Sequence, residues 1–441
     1  MILSVLLQAL PLVPALMLVV VLGYIAVRHQ RLFLALFMLL TAFESTRDFA
    51  PSLVVTLSGF SVYPEDLVTV VGAGAALARI GQWRLRPVTR AAMLVVTVLV
   101  GLGVITWIST YGLKLGVNFW RPQLLMVALL LYTTTRPRAW SWNDLRVIIV
   151  ASAIVVALAS VVGITMHGFG SSSSSIVVDG GIEGGRPVSA SGSLLMLIGL
   201  WITVSSAGKW SARRVLVVLL LGSMVLLTQN RSVWVAAILG VVVWWLVPRI
   251  RFRGASGGLS GISRTLLVFF VAAATALVGG SLASLGQSAS NDDTWLWRVA
   301  RWTDSMAVPR SWVEWLVGSA FGPTPAATPT LFLTSAHSLY VDAIEMTGFI
   351  ELAAVLVLVI AVGRAQVAPS IGPLGLIVCV SFLSFGVSYQ LPAWAWMAVG
   401  ILLAGTRAEQ PDGSGHKTPD TTRGLTAPAT PGDRVVDRTR L

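Results

Sequence analysis

The feature that most constrains this chain is a succession of apolar runs, most of them about as long as a bilayer is thick. A membrane helix needs roughly 20 apolar residues. Runs approaching that length fall near residues 2–27, 32–46, 62–80, 91–109, 121–135, 147–166, 189–206, 215–228, 233–248, 265–285, 338–362, 370–387 and 392–405. Only 11% of the 441 residues are charged, against roughly a quarter in soluble domains, and the mean hydropathy is +0.81. That composition argues against a water-soluble fold. The expectation is an all-α polytopic membrane protein: about 12–13 transmembrane helices over residues 1–405, and one large extracytoplasmic loop containing short interfacial helices. The first run lacks a basic leader and a small-residue cleavage site, so it reads as a retained span, kinked or split at Pro11 and Pro14.

A net charge of +12, from 31 Lys and Arg against 19 Asp and Glu, would suggest nucleic acid in a soluble protein. Here it sorts by side of the membrane. Basic residues gather on alternate connections, at Arg28 and Arg31; Arg79, Arg84, Arg86 and Arg90; Arg136, Arg138 and Arg146; Lys209, Arg213 and Arg214; Arg249, Arg251, Arg253 and Arg264; and Arg364. With the tail these make 23 of the 31, and by the positive-inside rule they mark the cytoplasmic side. Loops 167–188 and 286–337 then lie outside. The tail, 406–441, is rich in Pro, Thr, Asp and Arg and reads as disordered and cytoplasmic.

Several chemistries are excluded. One cysteine, Cys379, permits no disulfide framework, and the histidines His29, His167, His337 and His416 show no paired metal-ligand spacing. No Walker A or G-x-G-x-x-G pattern is present, and no duplicated half points to a repeat-built transporter. The expectation is no metal, no cofactor and no nucleic-acid partner.

The remaining 8 basic residues, Arg47, Lys114, Arg121, Arg186, Arg231, Arg298, Arg301 and Arg310, run against the topological trend. Arg231 opens a span at its external end, where free N–H groups and the helix dipole favour an anion; snorkelling to headgroups is the plain alternative. In Trp295-Leu296-Trp297-Arg298-Val299-Ala300-Arg301-Trp302, helical spacing puts Trp295, Arg298 and Trp302 on one face of an interfacial helix. That face holds Arg298 over aromatic surface or serves as an interfacial Trp belt. Arg301, with Asp304 at i+3, ranks below Arg298. His337 begins another span and titrates near neutral pH, although a lone His is more often structural. Asp342 and Glu345 lie further in, where acids are costly unless they line a pocket or pair with a neighbouring Arg. Arg186, in a Gly- and Ser-rich loop, closes on a phosphate or is merely solvated. Asp66 begins a span and suits capping best.

Taken in order, Arg231-Ser232 at a span start, Arg298-x-x-x-Trp302 in the large external loop, Pro309, the Gly318–Gly322 turn, and His337-x-x-Tyr340 with Gly348 beyond it resemble the O-antigen ligase and O-antigen polymerase family. The resemblance covers about residues 180–365. Ser338 stands where the family often has Asn, and Glu351 where it has a second Gly. The resemblance implies a glycosyltransferase of the bacterial plasma (inner) membrane. It would move a glycan from an undecaprenyl diphosphate carrier to an acceptor hydroxyl on a glycan or lipid, on the extracytoplasmic face. It would work beside membrane lipids and other polysaccharide-assembly proteins. His337 and Arg231 would be catalytic; Arg186, Arg298, Trp302, Tyr340, Asp66 and Glu345 would bind substrate. A transporter or flippase for a lipid-linked or anionic substrate is the competing reading, and a scaffold the third.

Overall fold

The computed structural model describes residues 12–46, 55–57, 60–62, 64–83, 85–135, 142–167, 176–178, 181–183, 188–205, 210–228, 230–251, 293–321, 338–363 and 374–405. The expected span 265–285 and the tail 406–441 lie outside them. The helices are α1 (Leu12–Arg28), α2 (Gln30–Glu44), α3 (Pro64–Leu77), α4 (Pro87–Thr134), α5 (Trp142–His167), α6 (Ala190–Ser205), α7 (Ala212–Leu227), α8 (Arg231–Arg251), α9 (Asp293–Ala307), α10 (Trp312–Val317), α11 (Leu339–Gly363), α12 (Leu374–Gly386) and α13 (Ala393–Gly405). Each apolar run within the described residues is helical, as it must be where no water can satisfy backbone groups. Three helical stretches, Pro87–Thr134, Asp144–Met166 and Leu339–Gly363, are long and apolar enough to cross a membrane.

Two short antiparallel hairpins depart from a purely helical chain. Val55–Leu57 (β1) pairs with Phe60–Val62 (β2), and Ile176–Val178 (β3) with Gly181–Glu183 (β4). In sequence the paired strands are separated by Ser58-Gly59 and Asp179-Gly180, dipeptides that favour turns.

The run α4 contains the two expected spans 91–109 and 121–135, joined without a polar loop. Gly112 breaks it, with φ +82°, a conformation that disfavours side chains with a Cβ. The arms 87–111 and 113–134 fold back on each other. Trp107 stacks on Phe119 at 4.1 Å, and Trp83, just before the first arm, hydrogen-bonds Thr134 at 3.0 Å, at the end of the second. A Cβ at Gly103 would lie 2.1 Å from the Trp120 ring, so glycine permits the arms their approach. Close packing through small residues is how helices associate where apolar burial offers little driving force.

Contacts between helix ends sort into two sets. At one end Arg31 pairs with Asp144 at 3.0 Å, Arg79 donates to the Val27 carbonyl at 2.6 Å, and Arg214 to that of Thr203 at 3.0 Å. At the other, Asp66 pairs with Arg121, Thr46 bridges Val188, Trp107 donates to Ser319, and Ser191 meets Trp394. The candidate residues belong to this second end.

Candidate functional site

The amphipathic helix α9 supplies the first group. Its mixed sequence buries Arg301 and Ser305 while Thr303 and Asp304 remain exposed. After it, Ser311 and Glu314 form a reciprocal capping box that starts α10, followed by a 3-10 turn at Gly318–Phe321. Gly318 (φ +58°) lies against the kink of α11 at Gly348 (φ +75°). A Cβ on Gly348 would stand 2.3 Å from the Leu316 carbonyl, and one on Gly318 2.5 Å from the Thr347 nitrogen. Backbone therefore packs on backbone, and two glycines fix how the segment 312–321 meets α11. Ser319 completes the joint by donating to the Glu345 carbonyl at 2.9 Å.

That joint seats the buried Glu345 carboxylate among cations. Its Oε1 accepts from the Ser305 hydroxyl and lies 3.6 Å from Arg301 Nη2. Arg310 donates to the Ser305 carbonyl at 3.1 Å and stacks over Trp315 at 4.9 Å. Burial draws the Arg310 pKa down from its ordinary value, with Glu345 and Glu314 opposing. Arg298 lies 4.7 Å above the Tyr389 ring. The buried atoms Arg298 Nε and Arg310 Nη1 have no hydrogen-bond partner among the described residues. Donors directed at no protein acceptor suit an anionic ligand.

The second group surrounds a cavity of about 350 Å³. Hydroxyls of Thr41, Ser45, Ser189 and Ser191 line it with Arg121 and Gln390, and Trp396 forms part of the wall. Arg121 Nε is 2.9 Å from Asp66 Oδ1. Gln390 donates to Asp342 at 2.9 Å, so the cavity touches α11, and its neighbour Tyr389 touches Arg298. The two groups thus meet at residues 389–390.

Of the sequence candidates, Arg298 and Glu345 both fall in the first group, Glu345 against Arg301 and Arg298 over Tyr389, with Trp302 half-buried on α9. Asp66 is engaged by Arg121 across to α4. Tyr340 donates its hydroxyl to the Leu383 carbonyl at 2.6 Å, which ties α11 to α12. Arg231 stands exposed at the first turn of α8, beside the buried cap Asn230, whose Oδ1 accepts from Val233 N at 3.4 Å. His337 and Arg186 lie outside the described residues. The ranking of Arg301 below Arg298 is corrected: Arg301 faces Glu345, because Glu345 sits across the α9–α11 contact where i+3 reasoning within one helix cannot see it. Arg121, Tyr389 and Gln390 were not selected from sequence. The usable signal was Asp66 and Arg121, opposite charges beginning alternate apolar runs, 62–80 and 121–135.

The described chain is therefore a helical protein with three helices suited to crossing a membrane and an arginine-rich, partly buried polar site at one helix-bundle end. No family model matches it, and no curated protein sequence matches it.

Proposed function

We propose that the chain is a polytopic membrane glycosyltransferase that transfers a glycan from undecaprenyl diphosphate to an acceptor hydroxyl, without metal or cofactor, at the extracytoplasmic end of its helices. The observation that carries this reading is the cluster of Arg298, Arg301 and Arg310, with Arg301 facing the buried Glu345, Arg310 held at the Ser305 carbonyl and Arg298 lying over Tyr389, at the bundle end opposite the Arg31, Arg79 and Arg214 contacts. Arg298 makes no ion pair among the described residues, so its charge is available to an anion. Charge accumulating on a departing lipid diphosphate is stabilised by fixed donors in a partly desolvated site, and guanidinium forks match phosphate oxygens.

In the proposed reaction the acceptor oxygen attacks the anomeric carbon as the bond from that carbon to the diphosphate oxygen breaks. The electron pair leaves on polyprenyl diphosphate, and the hydroxyl proton passes to His337. A single displacement inverts the anomeric centre. Arg231 and Arg186 would add cations where the carrier's headgroup lies. The test mixes purified protein with a carrier-linked oligosaccharide and candidate acceptors and follows release of polyprenyl diphosphate. Release that falls at least a hundredfold in Arg298→Ala and His337→Ala, with membrane insertion intact, is expected. Undiminished release in both variants, or none from the wild type with any acceptor, refutes the reading.

A transporter is the second reading, and Glu351 favours it. This carboxyl is fully buried in α11, and neither oxygen has a hydrogen-bond partner among the described residues. Acids at such depth often mark substrate or ion paths. Flux of a lipid-linked or anionic substrate in proteoliposomes, lost in Glu351→Gln and occurring without bond formation, would decide for it.

A further inference from the structure

We infer that the cavity between α2, α4, α6 and α13 is a binding site for an uncharged, hydroxyl-rich sugar unit, separate from the arginine group that would hold diphosphate. The inference rests on the transferase reading only for the name of that sugar, the acceptor glycan; the site itself follows from the cavity's chemistry.

Its volume, about 350 Å³, falls at the low end of the roughly 300–1,000 Å³ of small-ligand sites, enough for a mono- or disaccharide. The lining combines apolar side chains, Pro122, Leu125 and Leu391 among them, with a set of hydroxyl-bearing residues. Thr41 donates to the Phe37 carbonyl at 2.9 Å, Ser45 to that of Thr41 at 2.7 Å, and Ser189 accepts from Gly192 N at 3.3 Å. These bonds fix the oxygens in place. A hydroxyl carries one donor and two acceptor positions, so each fixed oxygen can still bond a ligand hydroxyl.

Charge separates this site from its neighbour. Arg121, the cationic group of the lining, is neutralised by Asp66 at 2.9 Å, whereas Arg298 lies over the Tyr389 ring and makes no ion pair among the described residues. An anion entering the cavity would have to displace or repel Asp66. A neutral polyol meets a dipolar ion pair, an amide and several hydroxyls, all able to bond it without a net charge mismatch. Trp396 adds an aromatic wall, of the kind on which apolar sugar faces rest. The position matches as well: Gln390 in the lining adjoins Tyr389, which lies under Arg298. A sugar in the cavity would have its edge toward the diphosphate group.

The test is binding, not turnover. Full-length protein in nanodiscs is examined by saturation-transfer NMR with a panel of neutral di- and trisaccharides, with their glucuronate-containing counterparts, and with inorganic pyrophosphate. Transfer to at least one neutral saccharide is expected. Ala393→Phe, which fills the cavity from its wall, should abolish transfer, and Thr41→Val, nearly isosteric, should weaken binding roughly fivefold. Asp66→Asn should reverse the preference toward the glucuronate compounds by uncovering Arg121. Failure of every neutral saccharide to bind overturns the inference, as does neutral binding untouched by Ala393→Phe, or an unaltered preference in Asp66→Asn. Because no glycan is transferred in this assay, its failure is distinct from failure of polyprenyl diphosphate release.

Discussion

Replacing Glu345 by Gln keeps the side-chain shape and an acceptor for Ser305 but deletes the charge between the α9 cations. Glu345 Oε1 and Arg301 Nη2 are 3.6 Å apart, and both side chains are only 8% exposed. At an effective dielectric constant of about 20, Coulomb's law gives this pair an attraction of about 4–5 kcal/mol. The net value is smaller, since desolvating both ions opposes it, yet removing one partner leaves the other buried and uncompensated. Such single changes cost about 3 kcal/mol or more. Glu345→Gln and Arg301→Gln should therefore each destabilise by about 3 kcal/mol. The double variant should recover about 2 kcal/mol relative to their sum, since residues in contact couple on that scale. Equilibrium unfolding in mixed micelles of the four proteins measures the cycle. Additivity within about 0.5 kcal/mol would refute the geometry of Arg301 and Glu345 from which the site is built.

The glycine joint gives a second outcome: Gly348→Ala places a Cβ 2.3 Å from the Leu316 carbonyl at φ +75°, so it should cost about 3 kcal/mol or more in the same unfolding assay. For contrast, Gly112→Ala is strained only by its backbone, with nothing within 4 Å of the added carbon, and should cost about 1–2 kcal/mol. Gly103→Leu, which drives into Trp120, should prevent the α4 arms from closing, read as loss of a cysteine cross-link engineered between residues 83 and 135. Under the transferase proposal, Tyr389→Leu removes the ring beneath Arg298 and should raise the KM for the carrier-linked donor roughly three- to tenfold, consistent with about 1 kcal/mol of cation–π attraction.

Helix placement was legible in the sequence because an apolar run excludes alternatives: a backbone without water must close its own hydrogen bonds. Helix-end contacts fall at two separate ends, with Arg31 meeting Asp144 at one and Asp66 meeting Arg121 at the other. Periodicity also anticipated α9 and its half-buried Arg298. It failed at the partners. Glu345 meets Arg301 across 44 residues of sequence and Asp342 meets Gln390 across 48. Helical spacing relates positions within one helix, whereas these pairs depend on how the Gly318 and Gly348 backbones seat one segment on another. The strands β1–β4 escaped for the opposite reason, being only three residues each, too short to show a period.

The charge arrangement bears on why a site of this kind would keep an acid among its arginines. Without Glu345, three guanidiniums at one bundle end would repel one another, and each would reorganise when an anion arrived. With it, Arg301 faces the carboxylate directly, and Arg310 is held at the Ser305 carbonyl beside it, while Arg298 rests on an aromatic face that leaves its charge uncompensated. Donors fixed before the reaction stabilise developing charge at no cost of reorientation. In the proposed transferase, Glu345 would thus act on the diphosphate through the arginines it orients. The carboxylate itself would repel phosphate, so its value lies in preorganisation, and Arg298, the cation it does not engage, is the residue best placed to follow the leaving group.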